Sequence, residues 1–213
     1  MCTETFLRLP EEKRGRFLEA AWGEFTRVKF SDASINQIVR HAGIPRGSFY
    51  QYFADKEDLF AYLLQSVREQ FVQLFARLLE ENGGDIFQMQ LAVYDRISQE
   101  MDPGQLRDRF IQVLLLNPGM DLKQLIIGDP DASAAPLIGK IDLSMLRRKD
   151  PAFVRSTLLL TSVVVMPAVM DSLTCPERRT ERRREMEEQL EIIRDGACRK
   201  GMCPWKEHKR RKV

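Results

Sequence analysis

Histidine is nearly absent, with His41 and His208 the two examples in 213 residues. The four cysteines, Cys2, Cys175, Cys198 and Cys203, form no CxxC pair, and only Cys203 has a histidine close by in sequence. A structural zinc site has no ligand set here, so neither a metal nor a cofactor is expected. There is no phosphate-cradling glycine loop, no HExxH and no Cys–His or Ser–His–Asp set, which leaves an enzyme without a basis in the sequence. Long apolar runs are missing too. The longest, Leu158 to Met170, is interrupted by Thr161, Ser162 and Pro167, whereas a membrane span needs about 20 residues. It reads as a helix buried in a core or at a subunit interface. The opening residues, MCTETFLRLPEEKRG, are charged at Glu4 and Arg8 and hold no signal-peptide core. A cytoplasmic protein with reduced thiols and no membrane partner is the expectation. Finally, no alternation of apolar and polar residues is long enough to specify a strand.

What is present is the composition of an ordinary globular protein, 44% hydrophobic and 30% charged, with length enough for a small module joined to a larger one. Net charge is only +2, but it is unevenly distributed. Lys13 to Lys56 holds eight basic against four acidic residues, a modest basic face.

Nearly every segment repeats its apolar residues at helical spacing, so the chain reads as all-α. A first helix is predicted over 11–28, with Phe17, Leu18, Ala21, Trp22 and Phe25 on one stripe. A second starts at Ser34, where Ser34 and Gln37 have capping-box spacing, and ends at Gly43. Pro45 opens a short third helix to about 53. Asp55 caps a fourth that runs to about 81, some 40 Å at 1.5 Å per residue. Further helices are predicted over 86–101, 104–116 and 120–127, then, after a Pro/Ala/Ser-bearing stretch over 128–139, over 151–172 and 177–200. The basic tail over 201–213 is expected to be poorly ordered. The alternating Arg and Glu residues from Glu177 to Glu191 read as a solvated face, His41 as solvent-facing, and nothing marks Cys198 and Cys203 as a redox pair.

The informative stretch is Ser34 to Phe53, SINQIVRHAGIPRGSFYQYF. Two short helices joined through Ala42, Gly43 and Ile44 have the form of a helix-turn-helix, whose second helix enters the major groove by its N-terminal end. Pro45, Arg46, Gly47 and Ser48 occupy that end, followed by Tyr50, Gln51 and Tyr52. Arg46 is able to fork two hydrogen bonds onto guanine or hold a phosphate, and Gly47 removes a side chain where backbone and DNA must approach. Lys56, in the first turn of the long helix, adds its charge to the positive end of the helix dipole, as a phosphate clamp would.

Residues 11 to about 64 resemble the N-terminal domain of the TetR family of bacterial transcriptional regulators. Phe17, Phe25, Ser34, Ile38, Ala42, Gly43, Ile44, Gly47, Tyr50, Phe53, Lys56 and Leu59 all stand in family spacing. The resemblance implies phosphate contacts for Ser34, Tyr50 and Lys56, and places Pro45, Arg46, Ser48, Gln51 and Tyr52 at or near the bases. It implies a DNA-binding domain over 1–54 with its helix-turn-helix at 34–53, and a helical effector-binding and dimerisation domain over 55–200, with helix 55–81 connecting the two. The implied function is a sequence-specific regulator, a ligand-responsive repressor acting as a homodimer on a pseudo-palindrome. Its partners would be double-stranded DNA, a second copy and an unknown small-molecule effector. Large apolar side chains suggest Phe71, Phe75, Phe87, Tyr94, Phe110 and Met166 for the effector pocket. Leu159, Val163, Pro167, Met170, Leu190 and Ile193 suggest the dimer seam. The rival reading is an all-helical adaptor that keeps the fold and binds protein rather than DNA.

Overall fold

A computed structural model describes residues 2–98, 105–118 and 135–199. Every regular element among them is helical: α1 (Glu4–Leu7), α2 (Glu11–Phe25), α3 (Ile35–Ala42), α4 (Arg46–Tyr52), α5 (Lys56–Glu81), α6 (Ile86–Ile97), α7 (Leu106–Leu116), α8 (Pro151–Thr174) and α9 (Arg179–Ala197). The all-α expectation is met. The helix predicted over 120–127 and the tail over 201–213 lie outside the described residues. α1 is absent from the sequence-based scheme, because four residues are too few to show a helical period.

The chain divides into two compact units, one drawing on Met1–Phe71 and Met101–Asp129, the other on Val72–Glu100 and Pro130–Val213. In the first, aromatic side chains make the core. Phe17 stacks on Phe53 with ring centroids 5.8 Å apart, and Phe25 stacks on Phe30 at 5.6 Å. Each such ring withdrawn from water contributes about 1.5–3 kcal/mol. α7, distant in sequence, belongs to this unit and is tied to its other elements by three polar contacts. Arg109 Nη1 meets Glu19 Oε1 at 2.8 Å, Gln112 Nε2 donates to the Thr26 carbonyl at 3.0 Å, and the Phe30 N–H donates to Asn117 Oδ1 at 2.9 Å.

α5 starts on a reciprocal cap: the Asp58 N–H donates to Asp55 Oδ1 at 2.7 Å, and the Ala54 N–H to Asp58 Oδ2 at 3.1 Å. It ends at Gly83 and Gly84, with φ of +61° and +82°, angles that L side chains rarely adopt. Gly84 has a second reason to be glycine, since a Cβ there would lie 2.6 Å from the Asp142 backbone nitrogen.

In the second unit α6, α8 and α9 pack together around Phe87, Val93, Tyr94, Val154, Val165, Val169, Met186 and Leu190. Several polar groups inside are paired. Gln90 Nε2 donates to Thr161 Oγ1 at 2.9 Å, the Tyr94 hydroxyl lies 2.7 Å from Ser172 Oγ, and Arg194 Nη2 meets Asp85 Oδ2 at 3.1 Å beneath the Phe87 ring. By length and composition α8 is apolar enough to cross a membrane, and it exceeds the uninterrupted apolar run legible in the sequence. Thr157, Thr161 and Ser172 are nonetheless buried along it, their hydroxyls bonded to carbonyls one turn back, as in a helix packed against others.

Candidate nucleic-acid interface

The helix-turn-helix is built from local rules. α3 ends where Gly43 takes φ +68° and the Ile44 N–H returns to the Val39 carbonyl at 3.0 Å. Pro45, with φ −62°, then starts α4 as its N-cap. Two turns of helix separate two faces. Phe49 and Tyr52, with Phe53 just after them, are buried, while Pro45, Arg46, Gly47 and Gln51 are exposed, Tyr50 is 50% exposed and Ser48 is half-buried. The outer face therefore offers a guanidinium, a phenol and a carboxamide on one short helix.

Two of these groups are already organised. Arg46 Nη2 donates to the Tyr50 hydroxyl at 3.2 Å, with the guanidinium carbon 5.9 Å from that ring's centroid. One helical turn separates the two residues, so the pair holds the long arginine along the helix tip. Gly47 has open space where a Cβ would stand. No neighbour inside the protein requires glycine there.

Three expectations change. Tyr52 is only 8% exposed, its ring 5.6 Å from Phe6 and 5.9 Å from Phe17. It belongs to the core and leaves the base-reading set, because i+3 from Phe49 is the inner face. Lys56 is half-buried, and its Nζ donates to the carbonyls of Phe30 and Ser31 at 2.8 and 2.9 Å, with Ala33 O at 3.4 Å. The ammonium thus caps the 3-10 turn Phe30–Asp32 that leads into α3, rather than waiting free for a phosphate. Ser34 makes no capping box with Gln37; its backbone N–H instead donates to Glu24 Oε1 at 3.0 Å, leaving the half-buried hydroxyl out of the cap.

Glu24 was missed in the sequence, although the signal exists. It follows Phe17 by seven residues and Ala21 by three, on the buried stripe of α2, and a carboxylate there needs a partner. It has two, the Ser34 N–H and Arg27 Nη2 at 2.5 Å.

Of the effector-pocket candidates, Phe71 and Phe110 meet edge to face at 6.2 Å within the first unit, whereas Phe75, Phe87, Tyr94 and Met166 belong to the second. The Tyr94 hydroxyl is engaged by Ser172 and the Arg179 carbonyl, so it serves the core. Phe87 lines a small recess bordered by Gly84, Asp85, Ile86, Asp142, Met145 and Leu146, with room for about one water. No group of three or more His, Cys, Asp and Glu able to hold a metal occurs among the described residues. Of the seam candidates, Val163 is 68% exposed and Pro167 is exposed beside Leu160, while Leu159, Met170 and Ile193 are half-buried. Leu190 is corrected: at 2% exposed it packs inside its own subunit. Ile192, 74% exposed, is the apolar residue that α9 presents instead.

Residues 17–63 match the family model described as bacterial regulatory proteins, tetR family. The chain is 37% identical over 94 residues to YdgC of Bacillus subtilis, an uncharacterized HTH-type transcriptional regulator, covering 43% of this chain and 48% of that one. It is 30% identical over 129 residues to the transcriptional regulator AcuR of Cereibacter sphaeroides, covering 59% and 54%. The chain thus spans about half the length of these curated relatives. In three dimensions it resembles SmeT, the repressor of the Stenotrophomonas maltophilia multidrug efflux pump SmeDEF. The TM-score is 0.61 at 17% identity, over 94% of this chain and 96% of that one, a likeness of fold.

Proposed function

From the match of residues 17–63 to the tetR family of bacterial regulatory proteins, we propose that this chain is a cytoplasmic repressor that binds operator DNA as a homodimer and releases it on binding a small molecule. One observation carries the reading: α4 turns Arg46, Gly47, Tyr50 and Gln51 outward from a helix whose opposite face is sealed into the core. Arg46 and Gln51 supply the forked donors and amide pairs that read guanine and adenine edges in the major groove. Tyr50 and Ser34 hold phosphates, and Ser48 and Pro45 border the bases.

A single α4 reads only a few base pairs, so specificity calls for two copies about 34–36 Å apart on a two-fold site. The exposed apolar stripe of α8, Leu160, Val163 and Pro167, with Ile192 of α9, is the surface that a second copy would cover. An effector that prefers one spacing of the two α4 helices then shifts affinity for the operator by its differential binding to the two states. Repression is the regulatory direction of one fold relative, SmeT.

The test is a duplex selected by the protein from a random library, measured against scrambled DNA across a salt series. Arg46→Ala and Tyr50→Phe are expected to cost about 1–3 kcal/mol each in operator binding while leaving the thermal melt unchanged. A wild-type chain that binds both duplexes alike would defeat the proposal.

A further inference from the structure

α4 has seven residues, Arg46–Tyr52. A helix that short has almost no interior, and the carbonyls of its last turn lack partners within it. Two of them are met by one residue from the start of the chain. Thr3 Oγ1 donates to the Gln51 carbonyl at 2.6 Å, and the Thr3 N–H donates to the Tyr52 carbonyl at 3.1 Å. The same hydroxyl accepts from the Phe6 N–H at 3.4 Å and so caps α1. Phe6 is wholly buried, its ring centroid 5.6 Å from Phe17, 4.8 Å from Phe53 and 5.5 Å from Tyr62. The segment is fastened by polar bonds to the carboxyl end of α4 and by an apolar plug between α2 and α5.

We propose that Thr3 and Phe6 are positioning residues for sequence reading: an N-terminal clasp that holds the last turn of α4, and with it Gln51, at a fixed pitch. The inference rests on α4 being the DNA-reading helix. Gln51 lies one residue from the end of that helix, where fraying begins. With the clasp open, its carbonyl turns to water and its carboxamide samples orientations that no longer match a base edge. Arg46, at the opposite end of the helix, keeps its place. Loss of the clasp therefore lowers discrimination between sequences and spares the electrostatic attraction common to all DNA. A hydroxyl that must donate to one group and accept from another is replaceable by serine and not by valine, which has threonine's shape without its hydroxyl.

The experiment uses the full chain with Thr3→Val, Thr3→Ser and Phe6→Leu. Amide hydrogen exchange follows the last turn of α4, and binding to a selected operator and to a scrambled duplex follows function over a salt series. Thr3→Val is expected to speed exchange at Gln51 to Phe53 and to lower the operator-to-scrambled ratio by about two- to tenfold. The salt slope should stay unchanged, and Thr3→Ser should restore both readouts. Phe6→Leu should move both in the same direction. If the wild type discriminates and Thr3→Val matches it, the clasp has no role in reading and the proposal is overturned. If the wild type itself does not discriminate, the assignment of α4 falls first and this proposal with it, while the exchange data still report whether the clasp holds the helix.

Discussion

Gly47 allows the proposed contact with DNA to be tested at a single position. Glycine near the start of a helix is less favourable than alanine, by up to about 1 kcal/mol, because its backbone loses more freedom on folding. The space around it in the free protein would accept a methyl group. Gly47→Ala should raise stability by about 0.5–1 kcal/mol in urea unfolding and weaken operator binding by about tenfold, since the methyl would meet the DNA. A variant that gains stability with no loss of binding would show that α4 does not approach DNA at this point. Lys56 carries the opposite lesson. Its charge and place in sequence suggested a phosphate clamp, yet its Nζ is spent on the carbonyls of Phe30 and Ser31. Charge is legible in sequence, but the acceptors that claim it are 25 and 26 residues away.

At the scale of elements, caps and breakers account for most boundaries. Gly43, Pro45, Asp55 and the Gly83–Gly84 pair stand where the chain changes direction. α8 begins on Asp150, whose carboxylate accepts from the Phe153 N–H at 3.1 Å with Pro151 in the next position. Its carboxyl is held below the ordinary value of 3.8 by the Arg148 hydrogen bond and then by that backbone N–H. A depressed carboxyl stabilises the fold fully above its unfolded pKa and loses that contribution as pH falls through the folded one. The stability gap between the wild type and Asp150→Asn, which caps without charge, should therefore be constant above about pH 5 and close as pH drops below the ordinary carboxylate range. Thermal melts from pH 7 to 3 would check it, and a gap that widens on acidification would contradict it. The capping box expected at α3 failed for a reason of the same kind. Ser34 and Gln37 have the right spacing, but the buried Glu24 carboxylate reaches the Ser34 N–H first.

For the whole molecule the decisive property is assembly. Leu160 and Val163 are 56% and 68% exposed on one stripe of α8, an arrangement costly in water unless covered. Replacing both by glutamate should leave the monomer folded, because neither side chain is part of the core. In sedimentation velocity at micromolar concentration the variant should run as a monomer where the wild type runs as a dimer. Operator affinity should fall by roughly a hundredfold, because one reading head remains where two were linked. A wild type that is monomeric and still binds its operator tightly would refute the two-fold scheme.

Helical period, glycine and proline punctuation and the order of side chains from Ser34 to Phe53 were enough, by themselves, to determine the all-α class, the helix-turn-helix and the outward placement of Arg46, Gly47, Tyr50 and Gln51. These depend on neighbours within a turn or two, where spacing and geometry are nearly the same thing. Tertiary structure alone decided that Leu190 turns inward, that Lys56 and Glu24 brace the lead-in to α3, that α7 joins the first unit, and that Thr3 closes the end of α4. Each of those outcomes is a choice of partner across tens of residues. A side chain's chemistry states which partners would satisfy it, and only the packed chain determines which one is within 3 Å.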